Sequence, residues 1–472
     1  MSEQRAVFGW RFTAPLMLAS TLNPINSSML ATGLVPIADE FSVGPGTAAI
    51  LVSVLYLCSA IMQPTIGKLG TVVGQRRVFV IGLVLVSVSG VVGTVAPTFS
   101  WLLVSRALLG IGTSAAFPTA MAMIRQRADQ AGAGAPTRVI GSLSIASQVC
   151  TVIGLPLGGL MVGLFGWRSL FALNIPLAIA AAVAVLVWVD RDEPRQRRPL
   201  GNVVRSLDLP GVVLFSGATI ALLVFLGDLS SPVWWMLAAA VLLTAGLIAW
   251  ERRALDPLID VRALAGNPAL ARTYLRQLVT ELAVYTALYG LSQWMGEAVG
   301  LDPETIGLVM IPLSATSIVI ARIASTRGWV RGPLIIGGVA VVAAGGLLLV
   351  VGSSTTGVIV VVIGVLVLFG IANGFGTIAI QTSLYLQAPA HQIGAASGLL
   401  RTFGYVGAIF SSSLITLTFG ARAEDAGLHT QGLIVGGLGI LLVLLAFDRH
   451  VPWSTERTTA PSRRKVASSE LP

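Results

Sequence analysis

Three ionisable side chains stand inside stretches that are otherwise apolar: Glu281, Arg106 and Arg401. A charge within a membrane span costs roughly 2.5–3.5 kcal/mol on insertion scales, so each needs a role or a partner to persist. Gln277, Glu281, Tyr285 and Tyr289 recur every fourth residue, which puts four polar groups on one helical face. Such a stripe belongs against a wet interior, where a carboxylate can take up and release protons. The competing reading of Glu281 is an ion pair with Arg276 or Arg401 that merely locks helices. Arg106 shares a face with Gly110, Thr113 and Phe117, which leaves room for its guanidinium. Backbone carbonyls at a kinked helix could equally satisfy it. Arg401, in Gly398-Leu-Leu-Arg401-Thr-Phe-Gly404-Tyr405, offers either a counter-charge to Glu281 or a seat for an anionic group.

The elements that must position these groups are membrane helices. Of 472 residues, 55% are hydrophobic and 11% charged, whereas soluble chains carry about 25% charge. Mean hydropathy is +0.85. Apolar runs recur at 13–37, 47–67, 78–96, 100–124, 139–165, 169–189, 209–228, 232–251, 270–297, 304–324, 333–352, 356–385, 393–419 and 429–447. They predict an all-α membrane protein with fourteen spans. The first run is too long for a signal-peptide core and has no clear cleavage site, so it reads as an uncleaved span.

The net charge of +9 would raise nucleic acid as a partner for a soluble protein. Here the basic residues sit in alternate loops. Lys68, Arg76, Arg77, Arg125, Arg127, Arg138, the linker arginines Arg195, Arg197, Arg198 and Arg205, and the tail residues Arg463, Arg464 and Lys465 share one side, against Arg168 and Arg422 on the other. That asymmetry predicts both termini in the cytoplasm of a bacterial plasma membrane. Cys58 and Cys150 lie in apolar spans and imply neither a disulfide nor a metal site. The expected organisation is a six-helix bundle at 1–189, a cytoplasmic linker at 190–208, two additional spans at 209–251, a loop at 252–269, a second six-helix bundle at 270–447 and a disordered tail at 448–472.

The stretch from Gly141 to Pro176 is the most distinctive. Gly154, Pro156, Gly158 and Gly159 fall within a turn and a half. In water, glycine costs about 1 kcal/mol and proline about 3 kcal/mol in a helix interior. In a bilayer, small residues let a neighbouring helix approach closely. These four predict a bent helix at an interface.

With these motifs the chain resembles the major facilitator superfamily, in particular its fourteen-helix drug:proton antiporter branch, over nearly its whole length. Gly67-Lys-Leu-Gly-Thr-Val-Val-Gly74-Gln-Arg76-Arg77 resembles the glycine and basic signature after the second helix, and Arg106 matches the fourth-helix arginine. Gly154-Leu-Pro-Leu-Gly158-Gly159 resembles the fifth-helix antiporter motif, and Gly166-Trp167-Arg168 the segment that follows it. Thr71 and Val72 replace an acid and a base of the first signature. Asn26 stands where relatives carry an aspartate, and the fifth-helix proline is displaced by one place.

The spans and charged loops read as a 6+2+6 arrangement, and the resemblance implies gating roles for the two glycine motifs and a coupling role for Arg106. Glu281, from its polar stripe, and Arg401, where relatives tend to carry an uncharged polar residue, are the further coupling candidates. The resemblance also implies a cavity near the midplane, between the repeats. Candidate lining residues are Asn23, Asn26, Met29, Gln63, Phe117, Met121 and Gln148 from the first bundle. The second offers Tyr285, Tyr289, Gln293, Asn373, Gln381 and Tyr405. For each Phe or Met, plain packing is the competing reading. Adaptable Met and aromatic side chains beside amides suit a lipophilic small molecule.

No enzymatic constellation, cofactor motif or P-loop is apparent, and His391, His429 and His450 sit at loop ends. The expected function is export of lipophilic compounds by a monomer, driven by protons. The alternatives are a lipid or envelope-precursor transporter, and a non-transporting sensor or scaffold.

Overall fold

A computed structural model describes residues 8–43, 45–132, 136–192, 208–227, 232–255, 257–301, 303–355, 357–420 and 422–447. Arg195, Arg197, Arg198, Arg205, His450 and the tail with Arg463, Arg464 and Lys465 lie outside them, as does the Pro156 side chain.

Among the described residues the chain is helical, with no β-strand. In order, the helices are α1 (Trp10–Glu40), α2 (Pro45–Val73), α3 (Gln75–Thr94), α4 (Phe99–Thr113), α5 (Ala116–Gln130) and α6 (Thr137–Phe165). The chain continues with α7 (Ser169–Ala172), α8 (Asn174–Trp188), α9 (Leu209–Gly227), α10 (Trp234–Glu251), α11 (Val261–Gly266) and α12 (Pro268–Glu297). It ends with α13 (Pro303–Arg327), α14 (Arg331–Leu348), α15 (Val358–Gln387), α16 (Ile393–Phe419) and α17 (Asp425–Ala446).

Among the described residues, eleven helical stretches are long and apolar enough to cross a membrane. Beside them run α1, α6 and α12, with 31, 29 and 30 residues. The single run expected at 100–124 is two helices, α4 and α5, with a break at Ser114 and Ala115. Pro118 explains the break, because it has no N–H to return to the Ser114 carbonyl. The Ser114 hydroxyl instead folds back onto the Gly110 carbonyl at 2.5 Å.

Two bundles form. In the first, α1 packs on α6 and α8, and α3 on α4 and α8. Gly154 and Gly158 let α6 close on α1: a Cβ at Gly154 would stand 2.6 Å from Ser28 Cβ, and one at Gly158 2.8 Å from the Met29 carbonyl. A Cβ at Gly159 would meet nothing within 4 Å, so of the three glycines Gly154 and Gly158 make the interface. In the second bundle, α12 packs on α16, α17 and α15, α13 on α15, and α14 on α15 and α17. The α9–α10 hairpin lies at the edge of the bundles, with α9 against α16 and α2 and with Phe215 and Leu247 buried in an apolar cluster shared with α5, α12, α15 and α16.

The bundles meet mainly near the face that carries both ends of the described chain. There α2 and α16 touch backbone to backbone: a Cβ at Gly394 would lie 2.9 Å from the Gly67 carbonyl, and one at Gly398 2.6 Å from Pro64 N. The Thr402 hydroxyl donates to the Ala60 carbonyl at 2.6 Å. Beside this seam, Thr137 of α6 donates to the Ser325 carbonyl of α13 at 3.2 Å. Arg125 of α5 donates to the Tyr385 carbonyl of α15 at 2.8 Å and lies over the Tyr385 ring. One step outward, Asp192 accepts from the backbone N–H of Arg76 at 3.0 Å and of Arg77 at 3.1 Å, which caps α3 after Gly74 with its φ of 118°.

Candidate functional site

Above the seam the polar stripe of α12 meets α16. Two glycines of α16 make the approach possible: a Cβ at Gly404 would lie 3.5 Å from Glu281 Cγ, and one at Gly407 3.3 Å from Glu281 Cβ. Gln277 Nε2 donates to Glu281 Oε1 at 2.8 Å, so the expected face exists. Tyr285 and Tyr289 stack on it with ring centroids 5.6 Å apart.

Arg401 lies one turn from Gly404 on the same helix and within electrostatic reach of Glu281. No ion pair joins the two among the described residues. The Arg401 guanidinium instead crosses between the bundles and lies 4.1 Å from the centroid of the Phe117 ring on α5. Arg276, the other partner considered for Glu281, turns away. It is 1% exposed and donates to Thr273 Oγ1 at 3.2 Å and to the Leu445 carbonyl. The reading of Glu281 as half of a static ion pair therefore loses both its partners.

From the first bundle, Tyr56 of α2 brings its ring 5.5 Å from that of Tyr405. It stands within electrostatic reach of both Arg106 and Glu281, and Tyr285 feels Tyr56, Tyr289 and Tyr405. Tyr56 was not singled out from the sequence. Its signal was the spacing of Tyr56, Ser59 and Gln63, polar positions three and four apart on an apolar helix. Arg106 is 1% exposed; its Nε donates to the Leu51 carbonyl at 3.2 Å and its Nη2 has no partner among the described residues. Arg106 is thus tied on one side only, to α2.

The other candidates divide. Gln63 Nε2 reaches Tyr405 Oη at 3.1 Å across the bundles. Gln381 accepts from Ser144 at 2.8 Å, and Gln148 from Ser317 at 2.5 Å, with Asn373 donating to the same Ser317 at 3.1 Å. These amides join α6 to α13 and α15. Asn23 donates to Ser59 at 3.1 Å and Thr113 at 3.0 Å, joining α1, α2 and α4. Asn26 faces α8, not Glu281: it exchanges hydrogen bonds of 2.5 and 2.9 Å with Asn174. Met29 and Met121 are buried in packed apolar clusters, and Gln293 is exposed near the far end of α12.

Among the described residues no cluster of His, Cys, Asp or Glu could hold a metal ion. Membrane-length helices in two bundles that meet on one face, with charged and phenolic groups of both between them, are the architecture of a multi-pass membrane transporter. The sequence profile of the Major Facilitator Superfamily matches residues 16–412, and the chain belongs to that family of transporters. It is 32% identical over 449 residues to the uncharacterized MFS-type transporter YwoD of Bacillus subtilis (strain 168), covering 94% of this chain and 97% of that one. It is 27% identical to the tetracenomycin C resistance and export protein of Streptomyces glaucescens, over 78% of this chain and 68% of that one. Among solved structures, the proton:xylose symporter XylE bound to 6-bromo-6-deoxy-D-glucose superposes with a TM-score of 0.67 at 13% identity. That match covers 95% of this chain and 98% of the other and speaks to the fold.

Proposed function

We propose that this transporter exports lipophilic small molecules in exchange for protons, with Glu281 as the proton-coupling carboxylate. The observation that carries the reading is Glu281 itself. It stands in the interior between bundles, is held by one glutamine, and is ion-paired to nothing among the described residues. A half-buried carboxylate inside a membrane span is costly unless it has a role, and a change of protonation during the cycle supplies one. Alternating access then rocks the bundles about the chamber. Arg401 and Arg106 set the field around Glu281. Gly67, Gly74, Arg76 and Arg77 with Gly154, Pro156, Gly158 and Gly159 serve the moving contacts.

In this reading α1, α6 and α12 also cross the bilayer. The chain then has fourteen spans arranged 6+2+6, as in the drug:proton antiporter branch, with both termini cytoplasmic and the monomer as the working unit. In that orientation the face on which the bundles meet is the cytoplasmic one. Kinship to a tetracenomycin C export protein supports export of a small molecule. A lipid substrate fits less well, because α9 lies over α2 and α16 and covers a seam through which a lipid would enter sideways.

The test uses inverted membrane vesicles. An imposed pH gradient should drive uptake of a lipophilic dye by the wild type, and Glu281→Gln should reduce that component at least tenfold while downhill exchange persists. Unchanged pH-driven uptake in Glu281→Gln would remove the carboxylate from this role.

A further inference from the structure

Two half-buried opposite charges, Glu281 and Arg401, lie on adjoining helices without forming an ion pair among the described residues. Glu281 accepts one hydrogen bond, from Gln277. Arg401 makes its ring contact with Phe117 and has no hydrogen-bond partner for any N–H among the described residues, although guanidinium is the side chain richest in donors. They sit on helices joined by Gly404 and Gly407 and feel one another electrostatically, yet no ion pair closes between them. The space beside them is faced by aromatic rings, Phe117 beneath the guanidinium and Tyr405 against Tyr56.

Each simple ligand class meets an obstacle here. A lipophilic cation attracted to Glu281 is opposed by Arg401. A lipophilic anion attracted to Arg401 is opposed by Glu281, and anion binding would favour protonation of Glu281, the wrong sign for exchange against protons. A neutral ring displaces water from two half-buried charges and pairs with neither, which is a cost without a compensating contact. A flat molecule with a basic amine at one end and an acidic group at the other satisfies both.

We infer that the preferred substrate is an amphoteric aromatic compound, its acidic group received by Arg401, its amine by Glu281 and its ring by the intervening aromatic side chains. The inference rests on the exporter reading and names its substrate class. It also gives exchange the right sign, because the ligand's ammonium and the proton compete for one carboxylate. Arg401 acts as the specificity residue, since it separates amphoteric ligands from plain cations.

A matched probe set tests this with purified full-length protein in lipid nanodiscs: norfloxacin, which carries an aromatic acid and a basic piperazine; its methyl ester, which keeps only the amine; and its N-acetyl derivative, which keeps only the acid. Wild type should bind norfloxacin at least tenfold more tightly than either derivative. Arg401→Gln should weaken norfloxacin and strengthen the ester, whose ammonium no longer meets a like charge, so that the two bind alike, and Arg401→Lys should restore part of the difference. Glu281→Gln should weaken norfloxacin and strengthen the N-acetyl derivative. Equal binding of norfloxacin and its ester by wild type, or equal loss of both in Arg401→Gln, overturns the inference. Flux separates the two levels: pH-driven expulsion of the ester equal to that of norfloxacin keeps the exporter and sinks this substrate class. The binding hierarchy without any pH-driven flux keeps the site and sinks the exporter.

Discussion

The seam between the bundles and the chamber above it draw on the same residue types and treat them oppositely. In the seam, polar side chains find partners: Ser144 with Gln381, Gln148 with Ser317, Thr402 with the Ala60 carbonyl, Arg125 with the Tyr385 carbonyl. Glycines remove the side chains that would hold the backbones apart. In the site above it, among the described residues, Arg401 has no hydrogen bond and Glu281 has one. The contacts that cross the seam make a discrete closed state, although Gln63 Oε1, Gln148 Nε2 and Tyr385 Oη in it keep no partner among the described residues; the open charges of the site leave free energy for a ligand or a proton. A carrier needs both, because a ligand shifts a conformational equilibrium only by its differential affinity for the two states.

The strongest way to break this comparison is to overfill the seam. Gly398→Leu would drive a side chain into the Gln63 and Pro64 backbone, and overpacking costs roughly 1–3 kcal/mol. That corresponds to a shift of about 5- to 150-fold toward the opened seam. Labelling of a cysteine placed at Ser144 by an impermeant thiol reagent, from the face bearing the chain ends, should accelerate accordingly. An unaltered rate would mean that the α2–α16 contact does not hold the face closed.

A smaller effect should come from the Ser144–Gln381 hydrogen bond, since interhelical bonds in membranes average about 0.6 kcal/mol. Ser144→Ala and Gln381→Leu should each loosen the seam two- to threefold, and the double variant by less than the product. Strict multiplicativity would show the pair to be uncoupled.

The smallest effect is expected at a tie that does not cross the bundles. Beyond the apolar stretch of α1, Glu40 accepts from Arg168 Nη2 at 2.7 Å and from Trp167 Nε1 at 2.7 Å. The Arg168 hydrogen bond, then that of Trp167, lowers its pKa below the ordinary 4.5. A carboxyl lowered on folding adds stability above its unfolded value, and loses it as pH falls through the folded one. Glu40 and Arg168 are each 41% exposed, so the gain is under about 1 kcal/mol. The melting temperature of Glu40→Gln should trail wild type slightly at neutral pH and converge with it below pH 4.5, with seam labelling unaffected. A change in labelling would contradict the separation drawn between ties within a bundle and ties across bundles.

Much of the site was legible. The four-residue recurrence from Gln277 to Tyr289 identified the face of α12, and hydropathy identified the charges that had to be accounted for. What could not be read was the partner of each polar group. Gln148 and Gln381 were expected to line a cavity and are engaged in contacts between bundles. Asn26 pairs with Asn174 at a separation of 148 residues. Tyr56 carried only a spacing signal, and Asp192 gave no sign that it would cap α3.

By itself the sequence determined a membrane protein, the long helices and the polar face of the ninth apolar run, because hydropathy and helical period are local properties of neighbouring residues. Only the tertiary structure decided which charges are satisfied and which stay open. Gln63 and Tyr405 meet across 342 residues, whereas Glu281 and Arg401, on adjoining helices, do not form an ion pair. Hydrogen-bond saturation is pairwise and short-ranged, so it is settled by how two helices approach, and here Gly404 and Gly407 set that approach.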